Sequence, residues 1–164
     1  MEKTDTKTRF ENINLYEAYC LALTIDEERK EFYENLAGKI KNTRVKNELL
    51  FLRDEEEKRA AYFEERIEDF EEDKEVLGAC DPEKKLYIWV ENEIIKPFQE
   101  GRNLKPLDNG TKALLLGREL QEKTISFYQE LINHEKDPHQ RAELADILDQ
   151  EKKYRNKLNI IISY

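Results

Sequence analysis

The sequence predicts an all-α fold, a four-helix bundle made of two repeated helical hairpins with a crossover helix between them. One observation behind this prediction is the 3–4 residue spacing of apolar residues through four long segments. Another is an internal repeat: the pair Phe32-Tyr33 returns as Phe127-Tyr128, 95 positions later. Because a single hairpin leaves its apolar stripe exposed, the two copies are expected to pack on each other.

The repeat extends over both helices of each hairpin at a constant offset. The other pairs that keep the offset without a gap are Leu36 and Leu131, Glu48 and Glu143, Leu49 and Leu144, Asp54 and Asp149, Glu56 and Glu151, and Lys58 and Lys153. We therefore predict a single domain over residues 1–164, with repeat one at about 13–70, the crossover helix at about 82–100 and repeat two at about 111–163.

The first hairpin is predicted from two apolar stripes and a short connection. Its first helix runs from about Ile13 to Ile40 and its second from about Thr43 to Phe70. Asn42 lies between them and is a good N-cap residue, because its side-chain oxygen can accept from the free N–H groups of the first turn. So short a connection makes the two helices antiparallel.

The rest of the chain is divided by Asp-Pro pairs, in which an N-cap acceptor precedes a proline suited to the first helical turn. One such pair opens the crossover helix, Asp81 to about Phe98, and another opens the last helix, Asp137 to nearly Tyr164. Gly101 to Gly110 has the glycine and proline content of a linker. The fourth helix is predicted from about Thr111 to Asn133.

Composition limits the classes of partner. The net charge is −9, the pI is near 5.0 and 40% of the residues are charged, which disfavours nucleic acid and anionic membranes. No apolar run approaches membrane-spanning length, and MEKTDTKTRF lacks the apolar core of a secretory signal. Cys20 and Cys80 are expected to be free thiols. We expect a cytoplasmic homodimer whose protein partner, if it has one, the sequence does not identify.

Polar residues interrupt the apolar stripes at the middle of the predicted bundle. They are Asp26, Glu56 and Arg59 from the first copy, and Gln121, Glu151 and Tyr154 from the second. A buried carboxylate requires a partner, and Arg59 is the expected cation for Glu56, Glu151 or Asp26. The alternative is that Glu56 belongs to a solvated face, since it lies within the acidic run 54–57.

At these residues the chain resembles the rubrerythrin-like branch of the ferritin-like superfamily. The first helices of the two hairpins contribute LTIDEERKEFYENLA and ELQEKTISFYQELI, and the second helices contribute FLRDEEEKRAAYFE and ILDQEKKYRNKL. The resemblance implies a ferritin-like bundle in which each copy supplies a Glu seven residues before Tyr and a Glu-x-x-His on the partner helix. In that family these ligands hold two iron atoms, and members reduce peroxide or oxygen.

The match to the family's ligands is partial. The resemblance assigns the metal-ligand positions to Asp26, Glu56, Gln121 and Glu151, with a further carboxylate from Glu91 or Glu93. Both positions where the family has histidine are altered, to Arg59 and Tyr154. The histidines of this chain, His134 and His139, lie far from the polar residues and are expected at the surface. The rubredoxin-type four-cysteine site is absent.

Three functional interpretations follow from this partial match. The first is a ferritin-like protein with a degenerate di-iron site, metal-free or weakly metal-binding, with a structural or binding role and no catalytic residues. The second is an oxidoreductase of peroxide or oxygen that binds iron or manganese through an altered carboxylate site, with an all-oxygen donor set suited to such ions. The third is an acidic helical bundle that binds partner helices.

Overall fold

The computed structural model describes residues 14–72, 85–102 and 110–163. All the regular secondary structure in these ranges is helical. The elements are α1 (Leu15–Lys39), α2 (Thr43–Glu72), α3 (Lys85–Val90, Glu91–Ile95 and Lys96–Gly101, continuous), α4 (Thr111–His134) and α5 (Pro138–Ile162). Predicted and observed helices agree closely in their bounds, and the chain forms a helical bundle.

Side-chain caps fix the starts of three helices. The Asn14 side chain accepts from the backbone N–H of Glu17 at 2.8 Å, and Asn42 accepts from the backbone of Val45 at 3.2 Å. Asp137 accepts from the first turn of α5, as predicted. The predicted starts at residues 13 and 81, the end at 164 and most of the 101–110 linker lie outside the described residues.

Each pair of long helices forms an antiparallel hairpin. The Tyr16 hydroxyl, near the start of α1, donates to Glu71 near the end of α2 at 3.1 Å. In the second hairpin Arg118, near the start of α4, donates to Asn159 near the end of α5 at 3.3 Å. These contacts place the N-terminal end of one helix beside the C-terminal end of its neighbour, as the short connections require.

The crossover helix α3 packs on the first helix of each hairpin. The rings of Phe98 and Phe32 are 5.2 Å apart between centroids, in an edge-to-face arrangement. A Cβ built on Gly101 would lie 2.7 Å from the Leu116 side chain of α4. Helix α3 therefore covers the α1 and α4 side of the bundle, while α2 and α5 form the other side.

A π-helical turn at Glu91–Ile95 sets which side of α3 faces the core. Ile94 and Ile95 are buried, whereas Glu91 is exposed. Glu93 accepts from Lys123 at 2.9 Å near the surface. Neither acid reaches the middle of the bundle, so neither Glu91 nor Glu93 adds a carboxylate to the polar residues there.

No helix within the described ranges is both long enough and apolar enough to cross a membrane. One apolar core runs through both hairpins and α3. It encloses the side chains of Tyr33, Phe63, Phe98 and Phe127.

Gly110 is required where the chain enters α4. Its φ is +79°, and a Cβ there would lie 2.9 Å from Ile40. We expect Gly110→Ala to lower the free energy of unfolding by about 1–2 kcal/mol, because alanine is strained in the left-handed region. Gly38→Ala, in exposed helix with no atom within 4 Å of the new Cβ, should instead raise it by about 0.4–1 kcal/mol. Urea denaturation followed by circular dichroism measures both, and equal effects would contradict the conformational argument.

Candidate functional site

Six polar side chains meet at the middle of the bundle and are enclosed by it. We call them the polar cluster: Asp26, Arg29, Glu56, Arg59, Gln121 and Glu151. Arg59 is 4% exposed and the other five are fully buried. The prediction of an inward Glu56 is confirmed, and the alternative of a solvated face is wrong. The sixth predicted residue, Tyr154, lies half-buried at the edge of the cluster.

Arg29 lies at the centre of the polar cluster. Its Nη1 donates to Glu151 Oε2 at 2.6 Å, and its Nη2 donates to Glu151 Oε1 at 2.8 Å. Nη2 also lies 2.6 Å from Asp26 Oδ1 and 3.0 Å from Glu56 Oε2. A single guanidinium therefore joins all three buried carboxyl groups and links the two hairpins, a bidentate arrangement well suited to arginine.

Arg59 is the second cation of the cluster. Its Nη2 donates to Glu151 Oε1 and lies 3.4 Å from the Tyr128 hydroxyl. Its Nε lies 3.6 Å from Asp26 Oδ2. The predicted pairing of Arg59 with Glu151 and Asp26 is thus present, whereas the guanidinium bonded to Glu56 is that of Arg29.

The second copy of the repeat contributes one acid, Glu151, and otherwise neutral groups. The Gln121 amide donates to Glu151, and its oxygen accepts from the Tyr33 hydroxyl at 3.4 Å. Thr124, which lies 95 positions after Arg29, is buried and donates to the backbone oxygen of Leu120 at 2.9 Å. The cluster is therefore asymmetric: both its cations come from the first copy, and the second copy contributes a single acid.

The three carboxyl groups differ in their tendency to hold a proton. Burial alone would raise the pKa of Glu151, but the charges and hydrogen bonds of Arg29 and Arg59 hold that pKa below its usual range. Burial raises the pKa of Glu56 well above its usual value, because the opposing effect of Arg29 is smaller. Burial also raises the pKa of Asp26, against the charges of both arginines. Glu56 is therefore the group that holds a proton most readily.

Asp26 and Glu56 interact directly. Asp26 Oδ2 and Glu56 Oε1 are both buried, and no described donor reaches either one. A hydrogen bond with Glu56 lowers the pKa of Asp26. A proton on Glu56 leaves the two guanidinium charges balanced against the carboxylates of Asp26 and Glu151. The cluster is then neutral overall.

The cluster does not fit a metal ion. The carboxylates assigned to metal-ligand positions all bond to Arg29, whose permanent positive charge lies where a dication would have to lie. The neighbouring histidine positions hold Arg59 and Tyr154 instead of imidazoles. Within the described ranges, no group of three or more His, Cys, Asp or Glu side chains is arranged to hold a metal.

A cleft between α2 and α5 leads from the surface to the edge of the cluster. Arg59 and Tyr154 line it, together with Tyr62, Lys153 and Ile147. The Cζ of Arg59 lies 5.5 Å from the centroid of the Tyr154 ring. Tyr154 therefore stands between the buried arginine and solvent.

The histidines and cysteines considered from the sequence lie away from the cluster. His134 is exposed at the end of α4, and His139 is exposed in the first turn of α5, as predicted. Cys20 is half-buried and forms no disulfide with a described residue, and Cys80 lies outside the described residues. Arg29 is the functional residue that the sequence reasoning missed.

Comparison with known proteins adds no family assignment. The chain matches no protein-family model, no curated protein and no solved structure at the significance required of a match.

Proposed function

We propose that this chain is a rubrerythrin-like member of the ferritin-like superfamily whose di-iron ligand positions form a buried arginine–carboxylate cluster. On this proposal it is a metal-free protein with a structural or binding role. The observation that carries the proposal is the position of Arg29, which donates to Asp26, Glu56 and Glu151 at 2.6–3.0 Å. The repeated hairpins and the sequence resemblance support the family. The bonds from Nη1 and Nη2 of Arg29 to all three carboxyl groups support the loss of metal.

The alternative is an oxidoreductase of peroxide or oxygen that binds iron or manganese. It would require the guanidinium of Arg29 to leave the centre of the cluster. Such a movement would leave a buried cation without its carboxylates, which is strongly unfavourable. No observed contact favours this arrangement, so we place the structural or binding role first.

Metal retention tests the proposal directly. The protein is purified without chelator, incubated anaerobically with Fe²⁺ or with Mn²⁺, and desalted. It is expected to retain close to no metal per chain. Its melting temperature should not change on addition of either ion, because a ligand that binds only the folded state would raise it. Stoichiometric retention, or a rise in melting temperature, would overturn the proposal.

Two variants show which residues prevent metal binding. Arg59→His with Tyr154→His restores the family's two imidazoles but leaves Arg29 among the carboxylates, so this double variant should also retain no metal. Adding Arg29→Thr, the residue that the second copy has at position 124, frees the carboxylates and should permit retention. If the double variant retained metal while Arg29 was still present, Arg29 would not occupy the metal position.

The homodimer and the cytoplasmic location expected from the sequence also remain proposals. Exposed apolar side chains on three helices, Phe51, Leu115 and Ile160, are candidates for contact with a second copy.

A further inference from the structure

The cleft between α2 and α5 has the size of a small-molecule site. Its volume is about 600 Å³, within the range in which protein ligands are bound. Its walls combine apolar and polar surface: Ile147 and the rings of Tyr62 and Tyr154, with Lys58 and Lys153 at the edges. Helix α3 lies on the other side of the bundle, so none of its described residues lines this opening.

Arg59 presents an unused donor at the inner end of the cleft. Its Nη2 donates to Glu151, and its Nε lies 3.6 Å from Asp26 Oδ2, beyond hydrogen-bond distance. Its Nη1 is buried and, like Nε, has no hydrogen-bond partner among the described residues. A buried charged N–H without an acceptor is unfavourable by an amount comparable to a lost hydrogen bond. The side chain is nine-tenths or more buried and lines the cleft. The Tyr154 ring lies 5.5 Å from its Cζ, so an acceptor that enters from solvent reaches Nη1 when this ring moves aside.

The charges around the cleft favour a single negative charge in the ligand. Lys153 lines it and is in no ion pair with any described residue. Glu143 also lines it, but its carboxylate is occupied by Arg66 at 2.7 Å. Asp146 also lines the cleft and is unpaired within the described residues, and Glu55 lines it in an ion pair with Lys58 at 3.4 Å. These acids disfavour a polyanion. One carboxylate directed at Arg59 and Lys153 satisfies these conditions.

The tyrosines that line the cleft can contact the part of the ligand that is not the carboxylate. Burial raises the pKa of Tyr154 to about 12 and that of Tyr62 to about 12. Both phenols therefore remain neutral at physiological pH. The Tyr62 hydroxyl already donates to Glu143, so the Tyr154 hydroxyl is the one that can donate to an anion. The two rings offer flat apolar surface to a planar body.

We propose that this cleft binds a small monocarboxylate with an apolar body, its carboxylate held by Arg59 and Lys153 and its body packed between Tyr62 and Tyr154. This deepens the binding role suggested above and rests on that proposed function for a metal-free cluster. The ligand class follows from the unpartnered guanidinium N–H, the free lysine and the aromatic walls.

Titration with benzoate, followed by the ring signals of the tyrosines in ¹H–¹³C NMR spectra, tests the proposal on the full chain. Benzoate should give saturable shifts at Tyr62 and Tyr154. Benzyl alcohol, which has the ring without the carboxylate, should bind at least about tenfold more weakly, because it offers no charge to the guanidinium. Inorganic phosphate should produce no saturable shift at these tyrosines.

Surface variants keep the test independent of folding. Lys153→Gln should weaken benzoate about two- to fivefold, the effect of one exposed charge. Lys152→Gln, at the next position but not lining the cleft, is the matched control and should have no effect. Gln150→Trp places a large ring on the cleft wall and should abolish the shifts.

Four results would overturn the proposal: no saturable shift with benzoate, equal affinity for benzyl alcohol, equal effects of the two lysine variants, or binding of phosphate at the same tyrosines. The metal measurement is separate from all four. Metal retention would remove the proposed function whatever benzoate does, and lack of benzoate binding would leave the metal-free cluster standing.

Discussion

Arg29→Met is expected to lower the free energy of unfolding by about 3–5 kcal/mol, the effect of removing one partner from a buried ion pair. Methionine has nearly the shape of the arginine stem, so packing changes little. The loss is electrostatic: three buried carboxyl groups would remain with Arg59 as their single cation. Urea denaturation monitored by far-ultraviolet circular dichroism measures the change, and a full loss of the folded signal counts as an effect at the upper end.

Two comparisons separate this mechanism from a general loss of stability. Arg118→Met removes a half-buried arginine whose guanidinium lies 3.3 Å from Asn159, and it should change stability by no more than about 0.5 kcal/mol. Adding Asp26→Asn to Arg29→Met removes one buried acid, restores charge balance and should recover part of the loss. If the second substitution destabilised the protein further, the charge explanation would be wrong.

The repeat carried the sequence prediction of the fold. Phe32-Tyr33 recurs at Phe127-Tyr128, so the two copies independently indicate which residues of each helix face the core. This agreement predicts the helices α1, α2, α4 and α5. Local cap chemistry fixed individual ends, as at Asn42 and Asp137. These are short-range properties, which depend on neighbouring residues and need no knowledge of the tertiary structure.

The burial of Arg29 could have been predicted from the same residue spacing. This residue lies three residues after Asp26 and three before Phe32, on the inward face of α1. The stripe was identified from its apolar members, and a large charged side chain was not counted among them. Charged residues are almost never fully buried without a partner, so the acids of the stripe were themselves the signal that such a cation was needed.

The cleft and the protonation of Glu56 could not be predicted in this way. The cleft depends on how far α2 and α5 separate around Tyr62 and Tyr154, which is a property of the packed bundle. The proton on Glu56 depends on which carboxyl group receives the most guanidinium bonds. That distribution, with Glu151 favoured over Glu56, is set by distances of a few tenths of an ångström.

Glu56→Gln is expected to remove a large pH dependence of stability. Burial raises the pKa of Glu56 well above its usual value, so the folded protein holds a proton that the unfolded chain releases. The stability from this proton is complete below the unfolded pKa of about 4.3 and is lost as the pH rises through the folded pKa. Relative to the Gln variant, the wild-type protein should lose up to about 1.4 kcal/mol per pH unit in this window.

Glutamine is a fair substitute because its amide resembles a protonated carboxyl group: it donates from one side, toward Asp26, and accepts from Arg29 on the other. The measurement is the free energy of unfolding by urea at several pH values for both proteins. Glu57→Gln, at the next position and exposed, is the matched control. A constant difference between wild type and Glu56→Gln across the pH range would show that Glu56 is ionised in the folded state, and the cluster would then carry an uncompensated negative charge.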